Sequence, residues 1–113
     1  MASYNEIETL DQWKELLDAS KEQSVVVFKH STTCPVSANA LSEFNQYLET
    51  ESGDQTTYAL VKVIESRPVS NQITEDTGVK HESPQIILLR DGKKYWTASH
   101  WSITTEHMKA VMQ

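Results

Sequence analysis

The stretch Val25-Val26-Val27-Phe28-Lys29-His30-Ser31-Thr32-Thr33-Cys34-Pro35-Val36-Ser37 constrains the fold more than any other part of the chain. A β-branched and aromatic run, Val25–Phe28, ends in the polar loop His30-Ser31-Thr32-Thr33. Such a run predicts an inner strand covered on both faces. Behind the loop, Val36, Ala40, Leu41, Phe44 and Leu48 fall on one face of a segment from about 35 to 50, and Asn39, Ser42, Glu43, Gln46 and Glu49 on the other. That spacing predicts an amphipathic helix. Pro35 takes the first helical position, where a missing N–H has no partner to lose. Cys34 stands just ahead of it, where the free N–H groups and the dipole of a helix start favour negative charge. The thiolate is the reactive form of cysteine. A strand–loop–helix turn of this kind therefore makes Cys34 a candidate nucleophile.

Cys34 is the one cysteine among 113 residues. It has no internal partner, so any disulfide it forms joins another protein or a small thiol. A lone cysteine often serves as a small buried hydrophobe, but the polar loop ahead of this one argues against a core position. Residues Met1–Glu6 carry neither a basic region nor an apolar run, so no export signal is expected. No apolar run approaches the roughly 18 residues of a membrane span. A single cysteine without export suits a reducing cytoplasm. The formal charge is −6, from 10 basic and 16 acidic residues, with no basic stripe. Nucleic acid is therefore not an expected partner, and the charge serves solubility. The length fits one domain, residues 1–113.

The remaining elements follow from local signals. Residues 3–8 predict a short edge strand around Ile7. Thr9-Leu10-Asp11-Gln12 has the capping-box pattern, and Leu10, Trp13, Leu16 and Leu17 recur at helical spacing over 10–20, which places Trp13 in the core. Glu51–Gln55 reads as a turn and Tyr58–Ile64 as a strand, with Lys62 marking an end that reaches solvent. Pro68 opens a helix with Val69 and Ile73 on one face, and Gly78 stops it. Gln85–Arg90 and Lys93–Ala98, joined by Asp91-Gly92, form a hairpin. Ile103, Met108, Val111 and Met112 mark a last helix, with Thr104 as its cap and Ile103 and Met108 as its hydrophobic staple. The order (β)αβαβα–ββα predicts an α/β domain of the thioredoxin-like fold: a mixed four-stranded sheet, the N-terminal edge strand, and helices on both faces.

The motif Thr33-Cys34-Pro35-Val36-Ser37 between a strand and a helix, the late Ser83-Pro84 and the Asp91-Gly92 hairpin resemble the monothiol bacilliredoxins. This is the YtxJ-like group of the thioredoxin-like superfamily, and the resemblance covers nearly the whole chain. It implies a small redox enzyme that acts on mixed disulfides between protein cysteines and bacillithiol, the low-molecular-weight thiol of low-GC Gram-positive bacteria. Bacillithiol would be a co-substrate, with no bound cofactor and no metal. By this resemblance Cys34 is the attacking thiol, and Pro84 matches the cis-proline that faces the active cysteine. Thioredoxins and dithiol glutaredoxins carry a second cysteine where this chain has Ser37, so the internal resolving step is lost. Ser99-His100-Trp101-Ser102 stands where glutathione-using glutaredoxins tend to carry a Gly-Gly pair, which argues against glutathione. The loop between Phe28 and Cys34 is one residue longer than in the familiar glutaredoxin pattern.

The expected partners are a low-molecular-weight thiol and S-thiolated proteins, met by a monomer. The site residues divide into a catalytic loop and a binding edge. Ser37 either donates a hydrogen bond to the Cys34 thiolate or faces solvent, and Thr33 either shapes the loop or caps the helix. Ser83, just before Pro84, either offers backbone groups to an extended thiol ligand, a form of strand addition, or is a plain turn residue. His100 and Trp101 are expected at the same end of the sheet; Trp101 is read first as core packing and His100 as a ligand contact. His30 reads as a solvated loop histidine that would favour the ionised thiol only if folded back. The spacings of His30, His81, His100 and His107 match no zinc site. Two rival functions keep the same cysteine: an iron–sulfur cluster carrier of the monothiol glutaredoxin kind, and a thiol sensor or binding module without turnover.

Overall fold

A computed structural model describes residues 4–50 and 56–112. The turn expected at 51–55 lies outside the described residues. The chain forms β1 (Tyr4–Glu6), α1 (Leu10–Ala19), β2 (Ser24–His30), α2 (Pro35–Thr50), β3 (Thr56–Lys62), α3 (Arg67–Thr77), β4 (Gln85–Arg90), β5 (Lys93–Ser99), a 3₁₀ turn (His100–Ser102) and α4 (Thr105–Met112). One sheet holds the strands in the order β1-β3-β2-β4-β5. β3 runs parallel to both β1 and β2, while β4 is antiparallel to β2 and β5. This is the expected thioredoxin-like α/β fold, and the N-terminal segment joins it as a fifth strand.

Local chemistry sets most boundaries. Thr9 Oγ1 accepts from the Gln12 N–H at 3.1 Å, and Gln12 Oε1 accepts from the Thr9 N–H at 3.1 Å. These reciprocal bonds satisfy two donors that the helix leaves open. Gly78 closes α3 with φ 71°, the left-handed conformation that costs glycine nothing. Asp91 and Gly92 turn the hairpin with φ 55° and 74°, as a tight primed turn requires. Thr104 Oγ1 accepts from the His107 N–H at 3.1 Å at the start of α4, and both Ile103 and Met108 are buried.

The sheet divides the core in two. Val26 and Phe28 of β2 face α2 and α4 with Phe44, Tyr47, Leu48 and Met108. Val25 and Val27 face α1 and α3 with Trp13, Val69 and Ile73. The period of two along a strand produces this division. Phe44 stacks on Phe28 at 5.1 Å, and the Trp13 indole donates to Asp76 at 2.8 Å. β3 ends at Lys62, two residues earlier than expected. The Val63 N–H still reaches the His30 carbonyl at 2.9 Å, but Ile64 turns outward and is half exposed.

Register brings the site together. Lys29 lies opposite Gln85, and Gln85 opposite Ser99. The end of β2, the start of β4 and the end of β5 therefore share one end of the sheet.

Candidate active site

Cys34 sits at the junction of β2 and α2. Its carbonyl accepts the first helical bond, from the Ala38 N–H at 3.0 Å, and Pro35 is the first helical residue. The thiol is half-buried. The loop behind it is tightly held. The Cys34 N–H reaches the Ser31 carbonyl at 3.4 Å, Ser31 Oγ and Thr33 Oγ1 lie 3.4 Å apart, and Thr32 Oγ1 donates to Glu65 at 3.2 Å. Thr33 is exposed, and its hydroxyl meets Ser31 within the loop, which fits the loop-shaping alternative.

Ser37 corrects one expectation. It does not face solvent: it is fully buried. Its Oγ accepts from the Ser31 N–H at 2.9 Å and lies 2.8 Å from Nδ1 of His30. His30 corrects another. It is no solvated loop residue but the last residue of β2, half-buried against the Phe28 ring. Burial lowers its pKa; Glu65 opposes that shift and Lys62 adds to it. The neutral imidazole is thereby favoured.

The second wall comes from β4 and β5. The Ser83–Pro84 peptide is cis and Pro84 is buried. The hydroxyl oxygen of Ser83 is buried without a partner among the described residues. The Pro84 carbonyl accepts from the His100 N–H at 3.0 Å, and His100 has φ 52°, a left-handed backbone uncommon outside glycine. The 3₁₀ turn packs on α2. Trp101 is 67% exposed on this turn, which overturns the expectation of core packing. The sequence-selected residues thus lie at one end of the sheet, Cys34, Pro35 and Ser37 on the α2 side and Ser83, Pro84, His100 and Trp101 on the β4–β5 side.

Lys29 is the feature that sequence reasoning missed. Its side chain is wholly buried between the end of β2 and α3. Nζ donates to the Ser70 carbonyl and to Thr74 Oγ1, both at 3.1 Å, and lies 3.3 Å from Nδ1 of His81. Burial pushes the amine down to about 8. Burial also lowers His81, with Lys29 and Arg67 adding to the shift and Glu82 opposing it. A signal existed: the lysine directly follows an unbroken apolar run, and the strand continues past it to His30.

A family model described as monothiol bacilliredoxin BrxC matches residues 5–108. The chain belongs to the monothiol bacilliredoxin family. A solved structure described provisionally as an oxidoreductase with a thioredoxin fold is 30% identical to this bacilliredoxin, with a TM-score of 0.85 over 97% of this chain and 94% of the other. The thioredoxin of Malassezia sympodialis shares the fold at 21% identity and a TM-score of 0.78, over 99% of this chain and 90% of its own. The thioredoxin of Trypanosoma brucei brucei does so at 12% identity and 0.75, over 96% and 88%. Family and fold make this bacilliredoxin a thiol oxidoreductase. Among the described residues, no helix is long and apolar enough to cross a membrane.

Proposed function

We propose that this bacilliredoxin removes bacillithiol from S-bacillithiolated proteins in a reducing cytoplasm, using Cys34 as a single thiol and an external thiol to finish the cycle. One observation carries the reading: the sole cysteine stands half-buried at the start of α2, and position 37 is a buried serine. No second thiol in the chain can compete for an adduct.

The cycle needs two exchanges. The Cys34 thiolate attacks the bacillithiol sulfur of the mixed disulfide; a new S–S bond forms there, and the target protein leaves as its thiolate and takes a proton from water. A second thiolate, from free small thiol, then attacks the bacillithiol sulfur of the Cys34 adduct. Cys34 leaves as thiolate, and the two small thiols depart as their disulfide. Each step exchanges one S–S bond for another, so no outside oxidant is required. Pro35 and Thr33 fix the loop that presents the sulfur. The backbone at Ser83-Pro84 pairs with the extended small thiol, and His100 with the exposed indole of Trp101 holds its outer part. The protein works as a monomer.

Intact mass after incubation with a panel of small-thiol disulfides is the test. The expected result is one adduct, on Cys34, formed fastest with bacillithiol disulfide and removed by added bacillithiol, and no adduct in Cys34→Ser. Release of bacillithiol from a modified protein should be catalytic in the wild type. Adduct formation without turnover would leave a sensor rather than an enzyme. A brown, thiol-dependent dimer on anaerobic purification would favour the cluster carrier.

A further inference from the structure

The segment between α3 and β4, residues 78–84, is neither helix nor strand, and it delivers Ser83 and Pro84 to the site. Its two ends are anchored. The Gly78 N–H reaches the Thr74 carbonyl at 3.0 Å, Val79 is buried in the core beneath α1 and α3, and the Pro84 carbonyl accepts from His100. Between these anchors, residues 80–83 make no backbone-to-backbone hydrogen bond among the described residues. A stretch of this kind opens easily unless side chains hold it.

Two side chains hold it, from neighbouring strands. Lys29 and Gln85 stand directly opposite one another in the β2–β4 ladder, at the end of the sheet that leads to Cys34. Both are buried. Gln85 Nε2 donates to the Lys80 carbonyl at 2.9 Å. Lys29 Nζ lies 3.3 Å from Nδ1 of His81, and Ser70 Oγ lies 3.5 Å from the same nitrogen. The other two donors of Lys29 go to the Ser70 carbonyl and to Thr74 Oγ1 in α3, so each N–H of an ammonium has a partner. One buried amine thus joins β2, α3 and the segment. His81 is otherwise exposed, so core packing does not fix it. Gln85 reaches Lys80 even though its own Oε1 is left buried without a partner among the described residues. An apolar side chain at either strand position would avoid these desolvation costs, but it would leave residues 80–83 untied.

We infer that Lys29 and Gln85 are positioning residues for the binding edge: through His81 and Lys80 they hold Ser83-Pro84 in place to receive the small thiol that reacts at Cys34. They act through the segment and take no part in the exchange of sulfurs. The inference rests on Ser83-Pro84 being the thiol-binding edge, as proposed above.

The test uses Lys29→Met, Gln85→Met, His81→Ala and His81→Asn. NMR order parameters for the backbone N–H groups of residues 80–83 need no ligand. They should be about 0.85 in the wild type and fall below about 0.6 in Lys29→Met, Gln85→Met and His81→Ala. The rate at which bacillithiol disulfide forms the Cys34 adduct, followed by intact mass, should fall about tenfold in the same three variants, as expected when one hydrogen bond that maintains the competent arrangement is lost. Iodoacetamide is too small to need the binding edge, so its alkylation of Cys34 should be unchanged. His81→Asn keeps an acceptor, Oδ1, near the place of Nδ1 and should recover most of the rate. Urea unfolding identifies any variant that fails to fold; the two substitutions at exposed His81 decide the question if a core variant does. If bacillithiol disulfide leaves wild-type Cys34 unmodified, the proposed small thiol is wrong, and the order parameters still judge the clamp, with rates taken from whichever disulfide of the panel does react. Unchanged order parameters in any folded variant of the three would overturn the inference. So would an equal fall in alkylation and adduct formation, which would place the effect on the thiol itself, or His81→Asn reacting no faster than His81→Ala.

Discussion

Replacing Lys29 with methionine should remove a specific pH dependence of stability. In the folded protein the amine titrates near 8, against 10.5 in the unfolded chain, because burial disfavours the ammonium. Between those values the unfolded chain holds more protons than the folded one, so stability rises with pH. The contribution is complete above 10.5 and is lost as pH falls through about 8. Its slope reaches at most ~1.4 kcal/mol per pH unit, and the whole span corresponds to roughly 3 kcal/mol. The three contacts of Nζ survive both charge states. An ammonium donates to all three partners, and a neutral amine donates to two and accepts from His81 Nδ1–H. The methionine variant leaves few groups stranded, since Thr74 Oγ1 still donates to the Ser70 carbonyl at 3.3 Å. Near pH 7 the variant should therefore match or exceed the wild type, as apolar replacements of buried charges often do. The assay is urea unfolding of both proteins from about pH 7 to 10.5. Other lysines and the tyrosines cancel in the difference. Wild-type stability should gain on Lys29→Met by ~3 kcal/mol across that range. A difference that stays flat, or that falls with pH, would refute the placement of a charged amine in the core.

Three further outcomes are expected. Thr9→Ala removes one arm of the capping box and should cost ~1 kcal/mol, seen as a fall of several degrees in the thermal midpoint by circular dichroism. Phe44→Ala empties a fully buried site that contacts Phe28, Tyr4 and Tyr58, and should cost ~3–5 kcal/mol by denaturant unfolding. Trp101→Ala removes an exposed side chain; it should change stability by less than ~0.5 kcal/mol and, under the proposed function, raise the KM for bacillithiol in the turnover assay.

Features written in neighbouring residues are legible in the sequence itself. The capping box at Thr9 and Gln12, the stop at Gly78, the Asp91-Gly92 turn and the cap at Thr104 each depend on groups within a few positions, and each stands where its local chemistry places it. The apolar run Val25–Phe28 and the stripe from Val36 to Leu48 likewise determine a covered strand feeding a helix, and with them the position of Cys34 ahead of Pro35. The end of β3 is less legible. Val63 and Ile64 continue the apolar pattern, whereas pairing with β2 stops at His30 and Lys62.

The character of the turn around Cys34 is a different matter. Ser37 suits solvent and the sulfur equally by its spacing, because helical periodicity says which face a residue occupies but not what that face meets. The meeting of α2 with the end of β2 buries Ser37 against His30 and Ser31. Trp101 is exposed because the 3₁₀ turn holds Ile103, and not the indole, in the core. Lys29 is buried because α3 and the segment through His81 close over it from residues 41 to 52 positions away. The sequence by itself determined the strand–loop–helix turn and the single thiol it presents, since both follow from local periodicity and from a count of cysteines. Only the tertiary structure decided that Ser37 and Lys29 are buried and Trp101 exposed, because burial depends on long-range packing that removes water from some side chains and leaves others in it.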